Sequence, residues 1–217
     1  MDLQLQNKIV LVSGGAKGIG AAIVGSFAAE GAIPVILDRN PQEAQALLDD
    51  IACGHFFHVE LTDIVQIRKT IDQIHEQVGE VDVLVNNAGV NDGASLEKGP
   101  QAFVSSLEKN LIHPFALAHY LINDLKNNSG NIVNVGSKVA DTGQGGTSGY
   151  AASKGAMNAL TREWAIDLAR FGIRVNCVVP AEVMTPLYKK WLEQTPDPSE
   201  TEARIKSTIP LGNRFTR

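Results

Sequence analysis

The chain has 217 residues, of which 44% are hydrophobic and 20% charged, with a formal net charge of −5. This is enough for one domain with a large core, and the mild acidity lacks the basic footprint that nucleic-acid binding requires. No stretch approaches the ~20 apolar residues of a membrane span and MDLQLQNK at the start lacks a signal-peptide core, so the expectation is a cytoplasmic protein with no membrane partner.

In chain order, KIVLVSG (8–14) is a run of β-branched and leucine residues closed by glycine, which predicts a buried strand. GIGAAIVGSFAAEGA (18–32) has helical apolar spacing and a stop at Gly31. IPVILD (33–38) reads as a second strand, and PQEAQALLDDI (41–51) as a helix opened by proline. HFFHVEL (55–61) predicts a strand, DIVQIRKTIDQIHEQVG (63–79) an amphipathic helix, and VDVLVNNAG (81–89) a strand running into a loop. A long helix is expected between about Gln101 and Lys126, then a strand in GNIVNVGS (130–137) and a glycine-rich loop over roughly 139–149. A helix from about Tyr150 to Phe171 and a strand in IRVNCVVP (173–180) complete the series. Strands buried on both faces and alternating with helices mean an α/β fold, a parallel sheet flanked by helices, in a single domain over 1–217. The tail carries many charges and helix-capable pieces interrupted by Pro196 and Pro198, and reads as a mobile lid over about 181–208. Cys53 and Cys177 lie far apart inside apolar runs, which favours packing in a reducing compartment over a bridge. Asn127-Asn128-Ser129 matches a glycosylation acceptor, a chance match in a cytosolic protein.

SGGAKGIG places Gly14, Gly18 and Gly20 between the first strand and the first helix. Gly14 permits a tight turn, Gly18 clears space for a pyrophosphate, and Gly20 lets helix and strand pack closely. The helix start near Ile19 then offers unpaired N–H groups and a positive dipole end to phosphates. Asp38 ends the second strand, where a carboxylate accepts hydrogen bonds from ribose hydroxyls and repels a 2′-phosphate, favouring NAD. Lys17 and Arg39 argue for NADP, since either cation can pair with that phosphate. Asp38 outweighs them, because close-range repulsion is hard to offset with two flexible side chains.

Tyr150 and Lys154 are four residues apart and share a helix face. The plain reading is a phenol packed on a lysine stem; the sharper one is a cation that readies a phenol for proton transfer. The surrounding motifs decide. With the glycine loop, NNAG at 86–89, YAASK at 150–154 and Ser137 ahead of the tyrosine, the chain resembles the short-chain dehydrogenase/reductase family along essentially its whole length. The resemblance implies a Rossmann-type doubly wound sheet, bound NAD or NADP, and reversible hydride transfer between an alcohol and a carbonyl. Its catalytic tetrad falls on Asn110, Ser137, Tyr150 and Lys154.

In the implied chemistry Tyr150 takes the hydroxyl proton, and the Lys154 ammonium, helped by the positive oxidised nicotinamide, lowers the phenol from its ordinary pKa of ~10. Lys154 also holds the nicotinamide ribose, Ser137 stabilises the substrate oxygen, and Asn110 anchors a water that relays protons. Asn86 and Gly89 fall at contacts to the adenosine side, Glu60 and Leu61 at the adenine, and Val183 and Thr185 at the carboxamide or diphosphate. Three positions depart from the family pattern. Ser13 replaces a threonine, Glu60 an aspartate, and PAE at 180–182 replaces Pro-Gly, which brings Glu182 toward the substrate.

Within the family, NNAGVNDG, GQGGTSGYAASKG, LTREWA and VPAEVMTPLY resemble bacterial L-fucose dehydrogenases and related aldose 1-dehydrogenases. That implies oxidation of a pyranose C1 hydroxyl to a lactone. Asn91, Lys138, Gln144 and Glu182 are candidate hydrogen-bonding partners for a sugar, with Trp191 or Tyr188 as an apolar platform. A hydroxysteroid dehydrogenase, a 3-oxoacyl reductase and a nucleotide-binding module without catalysis are the rival readings. Family members usually continue past PLGNRF through another helix and a final strand, whereas this sequence stops at Arg217. The family's pairing helices correspond to about 101–126 and 150–171, so a homodimer or homotetramer is expected.

Overall fold

A computed structural model describes residues 1–209. Six strands form one parallel sheet: β1 (Ile9–Ser13), β2 (Ile33–Asp38), β3 (His55–His58), β4 (Val83–Asn86), β5 (Asn131–Val135) and β6 (Arg174–Val178), in the order β3-β2-β1-β4-β5-β6. The order reverses between β1 and β4. In such sheets a crevice opens at the carboxyl ends of the strands flanking the reversal, so the segments after Ser13 and Asn86 are where a ligand is met.

The apolar strand runs are continuous because both faces are covered. Val10, Val12, Ile36, Val83 and Val85 pack with Val24 of α1 (Gly18–Ala29) and Ala44 of α2 (Pro41–Asp49). Leu11, Leu37, Leu84 and Ile132 point the other way. They meet Ile67 and Ile71 of α3 (Ile64–Gln77), Leu117 of α5 (His113–Tyr120), Leu125 of α6 (Ile122–Asn127) and Trp164 of α8 (Ser148–Ala169). The α/β class, with helices on both faces of a parallel sheet, follows from that alternation.

Three expectations are corrected. The single helix over about 101–126 is broken into α4 (Gly99–Leu107), a π-helical turn (Glu108–Ile112), α5 and α6. Pro114 is the cause within the first break. It has no N–H for the Asn110 carbonyl four residues back and its ring crowds that carbonyl, so the helix widens. Secondly, the loop over 139–149 contains a short helix, α7 (Val139–Thr142), before Gly143, Gly145 and Gly146 turn the chain at positive φ. α8 therefore starts at Ser148, ahead of Tyr150. Thirdly, β3 ends at His58 and β4 spans only Val83–Asn86, both shorter than the apolar runs suggested.

The sheet and its helices occupy one unit, Met1–Val179, and a second begins at Pro180. The second holds α9 (Pro186–Glu193) and α10 (Pro198–Ser207), capped by Thr185 and Asp197. Pro198 opens α10 instead of interrupting it, as proline can in a first turn. Among the described residues no helix is long and apolar enough to cross a membrane. The PLGNRF stretch begins at Pro210, outside the described residues.

Candidate active site

The glycine loop is shaped by its own backbone and by the end of β4. Gly14 has φ +64°, and a Cβ there would lie 2.9 Å from the Cα of Ala88. A Cβ on Gly20 would overlap the Gly14 carbonyl oxygen and reach 2.7 Å from Asn87 Nδ2. Asn87 itself donates from Nδ2 to the carbonyls of Ser13 and Gly14, each at 3.0 Å. Ser13 Oγ accepts from the N–H groups of Asn87 and Ala88, each at 3.1 Å, a task that serine and threonine perform alike. The first turn of α1 contains no acidic residue and no side chain caps it. Gly18, at φ +55°, and Ile19 thus open a helix whose leading N–H groups receive no side-chain cap. This uncapped, side-chain-free cradle fits the pyrophosphate of a nicotinamide dinucleotide.

Asp38 is 8% exposed. Its carboxylate accepts from the Ala16 N–H at 3.1 Å, the Asn40 N–H at 3.1 Å and Asn40 Nδ2 at 2.7 Å. Lys17 is ion-paired with Glu43, and Arg39 with Glu60 at 3.7 Å. Glu60 also accepts from Thr62 Oγ1 at 3.1 Å, so its carboxylate is committed to neighbours, and Leu61 packs against the core. The Asn86 side chain is 2% exposed and donates to Asn134 Oδ1 at 2.9 Å inside the sheet. Asn87, missed by the sequence reading, is the residue of the pair that shapes the crevice.

The reactive residues gather where α8 crosses the end of β5. Lys154 is 4% exposed and donates from Nζ to the Val135 carbonyl at 2.7 Å. Nζ is 5.7 Å from the centre of the Tyr150 ring. Burial pushes Lys154 down to about 8, against a smaller opposing effect of Cys177. The Tyr150 and Ser137 hydroxyls are hydrogen-bonded to each other, and the Val139 N–H steadies Ser137 Oγ at 3.3 Å. The protein's own groups leave the Tyr150 phenol above its ordinary value. Burial pushes it up and the Ser137 hydrogen bond opposes this only in part, while Lys154 spends its short contact on Val135.

Asn110 is fully buried. Its Oδ1 accepts from the Val90 N–H at 2.7 Å, and its Nδ2 donates to the carbonyls of Val90 at 3.0 Å and Ser106 at 2.9 Å. The carboxamide is thus fully used in pinning the loop after β4. Pro114 has no N–H to offer the Asn110 carbonyl, the group four residues ahead of it in the helix. Gly89 stands against this pair: a Cβ would lie 2.9 Å from Asn110 Oδ1 and 3.5 Å from Lys154 Nζ. Gly89→Ala is expected to cost about 1–3 kcal/mol of stability and to slow turnover, because the Asn110 carboxamide must move. Denaturant melts and initial rates on the same preparation check this.

His113, 1% exposed, bonds the Lys109 carbonyl through Nε2 at 3.0 Å. Burial above all, with the Lys154 charge adding to it, holds it down to about 4, so the ring is neutral. The sequence reading also missed a support beneath the site. Asp92 accepts from Ser106 Oγ at 2.9 Å and Lys109 Nζ at 3.2 Å. Burial raises its pKa, but these two donors together outweigh that and hold the carboxyl below its usual range. The Gly149 N–H, next to Tyr150, donates to the Ala94 carbonyl at 3.1 Å, and a side chain at Gly149 would collide with Ser106. A glycine directly before the tyrosine was the available signal.

Of the substrate candidates, Asn91 and Gln144 are exposed and Lys138 is half-buried at the start of α7. In the second unit the Tyr188 phenol is hydrogen-bonded to Glu182, and burial, with that carboxylate, pushes its pKa up. The Tyr188 and Trp191 rings are 5.4 Å apart. Thr185 Oγ1 accepts from the Tyr188 N–H at 3.1 Å, and the Val183 carbonyl accepts from the Thr185 N–H at 2.8 Å.

The model of the short chain dehydrogenase family matches residues 8–196. An L-fucose dehydrogenase of Bos taurus is 33% identical over 214 residues, 98% of this chain and 79% of that protein. A 3-oxoacyl acyl-carrier-protein reductase of Thermotoga maritima is 33% identical over 97% of this chain and 85% of its own length. The crystal structure of the Cj0485 dehydrogenase superposes with a TM-score of 0.94 at 42% identity, covering 100% of this chain and 84% of that one. The parallel sheet, the uncapped glycine turn at its switch point and the matched length agree: the chain belongs to the short-chain dehydrogenase/reductase family, oxidoreductases acting on CH–OH groups.

Proposed function

We propose that this protein is an NAD-preferring sugar dehydrogenase that oxidises the C1 hydroxyl of L-fucose or a similar aldose to the lactone. The observation that carries the chemistry is the Tyr150–Ser137 hydroxyl pair beside the buried Lys154 ammonium. Gly14, Gly18, Ile19 and Gly20 hold the pyrophosphate, and Asp38 holds the adenosine ribose. A bound nicotinamide dinucleotide supplies the two-electron acceptor and, when oxidised, a positive charge.

Ser137 receives the substrate oxygen and stabilises the charge that develops on it. Tyr150 takes the hydroxyl proton at its phenolic oxygen, after which Lys154 and a water on the Asn110 carbonyl return that proton to solvent. Burial alone works against the phenolate, so the charge that arrives with the nucleotide offsets part of that cost. Asp38 supports NAD, because its carboxylate stands beside the glycine loop where a 2′-phosphate would be repelled. The L-fucose dehydrogenase relatives and the carboxylate and aromatic groups of the second unit, Glu182, Tyr188 and Trp191, support a sugar. The reductase relative supports the alternative, a 3-oxoacyl reductase, but Asp38 weighs against its usual NADPH. A homodimer or homotetramer is supported by Phe103, Val104, Ile112 and Phe115, exposed on the segments of the long broken helix. Two free thiols fit a cytoplasmic site.

Initial rates with NAD and NADP against L-fucose, D-arabinose, L-galactose and a steroid alcohol test this. L-fucose is expected to react, and faster with NAD. Activity on the steroid alone would overturn the sugar assignment.

A further inference from the structure

Two cations stand beside Asp38, and each is already engaged. Lys17, directly before α1, is ion-paired with Glu43 in the first turn of α2. Arg39 is paired with Glu60 at 3.7 Å. Asp38 ties the two sides together, accepting from Ala16 in the glycine loop and from Asn40 at the start of α2. Three carboxylates thus face two cations, leaving these five side chains a net charge of −1.

We infer that Glu43 is a specificity-determining residue for the nucleotide, with Glu60 in a lesser part: by engaging Lys17 it denies a 2′-phosphate the cation such a group needs. The inference rests on the NAD-preferring reading above and deepens it. A 2′-phosphate would have to pull Lys17 away from Glu43 and then sit beside both that carboxylate and Asp38. A free ribose hydroxyl disturbs neither. The Lys17 hydrogen bond holds Glu43 below the usual carboxylate range, so the pair is charged throughout the neutral region. Exposed pairs of this kind contribute little to folding, so removing the carboxylate leaves the fold in place. Arg39 is the looser of the two, with its side chain 72% exposed.

Calorimetric titration with 5′-ADP and 2′,5′-ADP reads the effect without catalysis. In wild type 5′-ADP is expected to bind more tightly. Glu43→Gln is expected to shift the affinity ratio about tenfold toward 2′,5′-ADP, the worth of one charge-assisted contact. Adding Lys17→Met to Glu43→Gln is expected to erase that gain, and salt near ~0.5 M to shrink it. A ratio unchanged in Glu43→Gln, or a gain that survives the loss of Lys17, overturns the inference while the NAD reading stands. A wild-type protein that already prefers 2′,5′-ADP sinks the NAD reading and this inference with it. Glu43→Ala, which removes the carboxylate without an amide, is expected to shift the ratio in the same direction.

Discussion

Tyr150→Phe is expected to lower turnover by about 10³-fold while the protein still binds nucleotide, since a positioned acid–base group commonly contributes between ~10² and ~10⁴. The substitution removes one oxygen and keeps the ring, so α8 retains its packing and the glycine loop, which belongs to other elements, is untouched. What is lost is the partner of the Ser137 hydroxyl. Ser137 remains oriented by the Val139 N–H at 3.3 Å, so the stability cost is limited to about 1 kcal/mol. The pH profile separates this outcome from general damage. Wild-type oxidation should rise with pH as the phenol releases its proton, and the residual rate of the variant should lose that rise. Single-turnover reduction of NAD between pH 6 and 10 gives both readings. A variant that turns over like wild type would remove Tyr150 from its role as base.

Much of this site was legible because chemistry interrupts a pattern. The buried face of α8 runs Gly149, Ser153, Lys154, Met157, Thr161, Trp164 and Leu168, so a lysine occupies a position that helical spacing reserves for apolar residues. The strands were legible for the opposite reason, as runs apolar at every position need cover on both faces. The pair Asn86 and Asn87 shows what one line of text could not assign. Side chains alternate along β4, so Asn86 follows Leu84 onto one face, where Asn134 and Thr161 await it. Asn87, past the strand's end, is free to reach back to Ser13 and Gly14. A shift of one residue in the strand's limit exchanges the two roles. The ion pairs of Lys17 and Arg39 were equally out of reach, because each joins segments that only the folded sheet brings together. Pro114 was visible, yet its effect on Asn110 required the register of the helix it breaks.

Lys154→Met should separate chemistry from folding: turnover is expected to fall by ~10²-fold or more, while stability at pH 7 stays near that of wild type. Burial holds Lys154 at about 8 instead of 10.5, so keeping it charged below that pH costs the fold about 3 kcal/mol. Methionine has similar reach, suits the apolar stripe of α8 and removes that cost. Against this, the Val135 carbonyl loses its 2.7 Å donor, a buried acceptor left unpaired at about 1–3 kcal/mol. The two effects nearly cancel at neutral pH and diverge above it. Between about 8 and 10 the unfolded chain still binds the lysine proton and the folded wild type does not, so wild-type stability rises with pH and the variant's does not. Urea melts at pH 7 and 9.5 check the sign. If the variant loses several kcal/mol at pH 7, the ammonium stabilises the fold and its depressed pKa has another origin. If stability holds and turnover collapses, a charge is being kept at a position where an apolar side chain serves the fold equally well. Work on the substrate proton and the nicotinamide ribose is then what explains a lysine there.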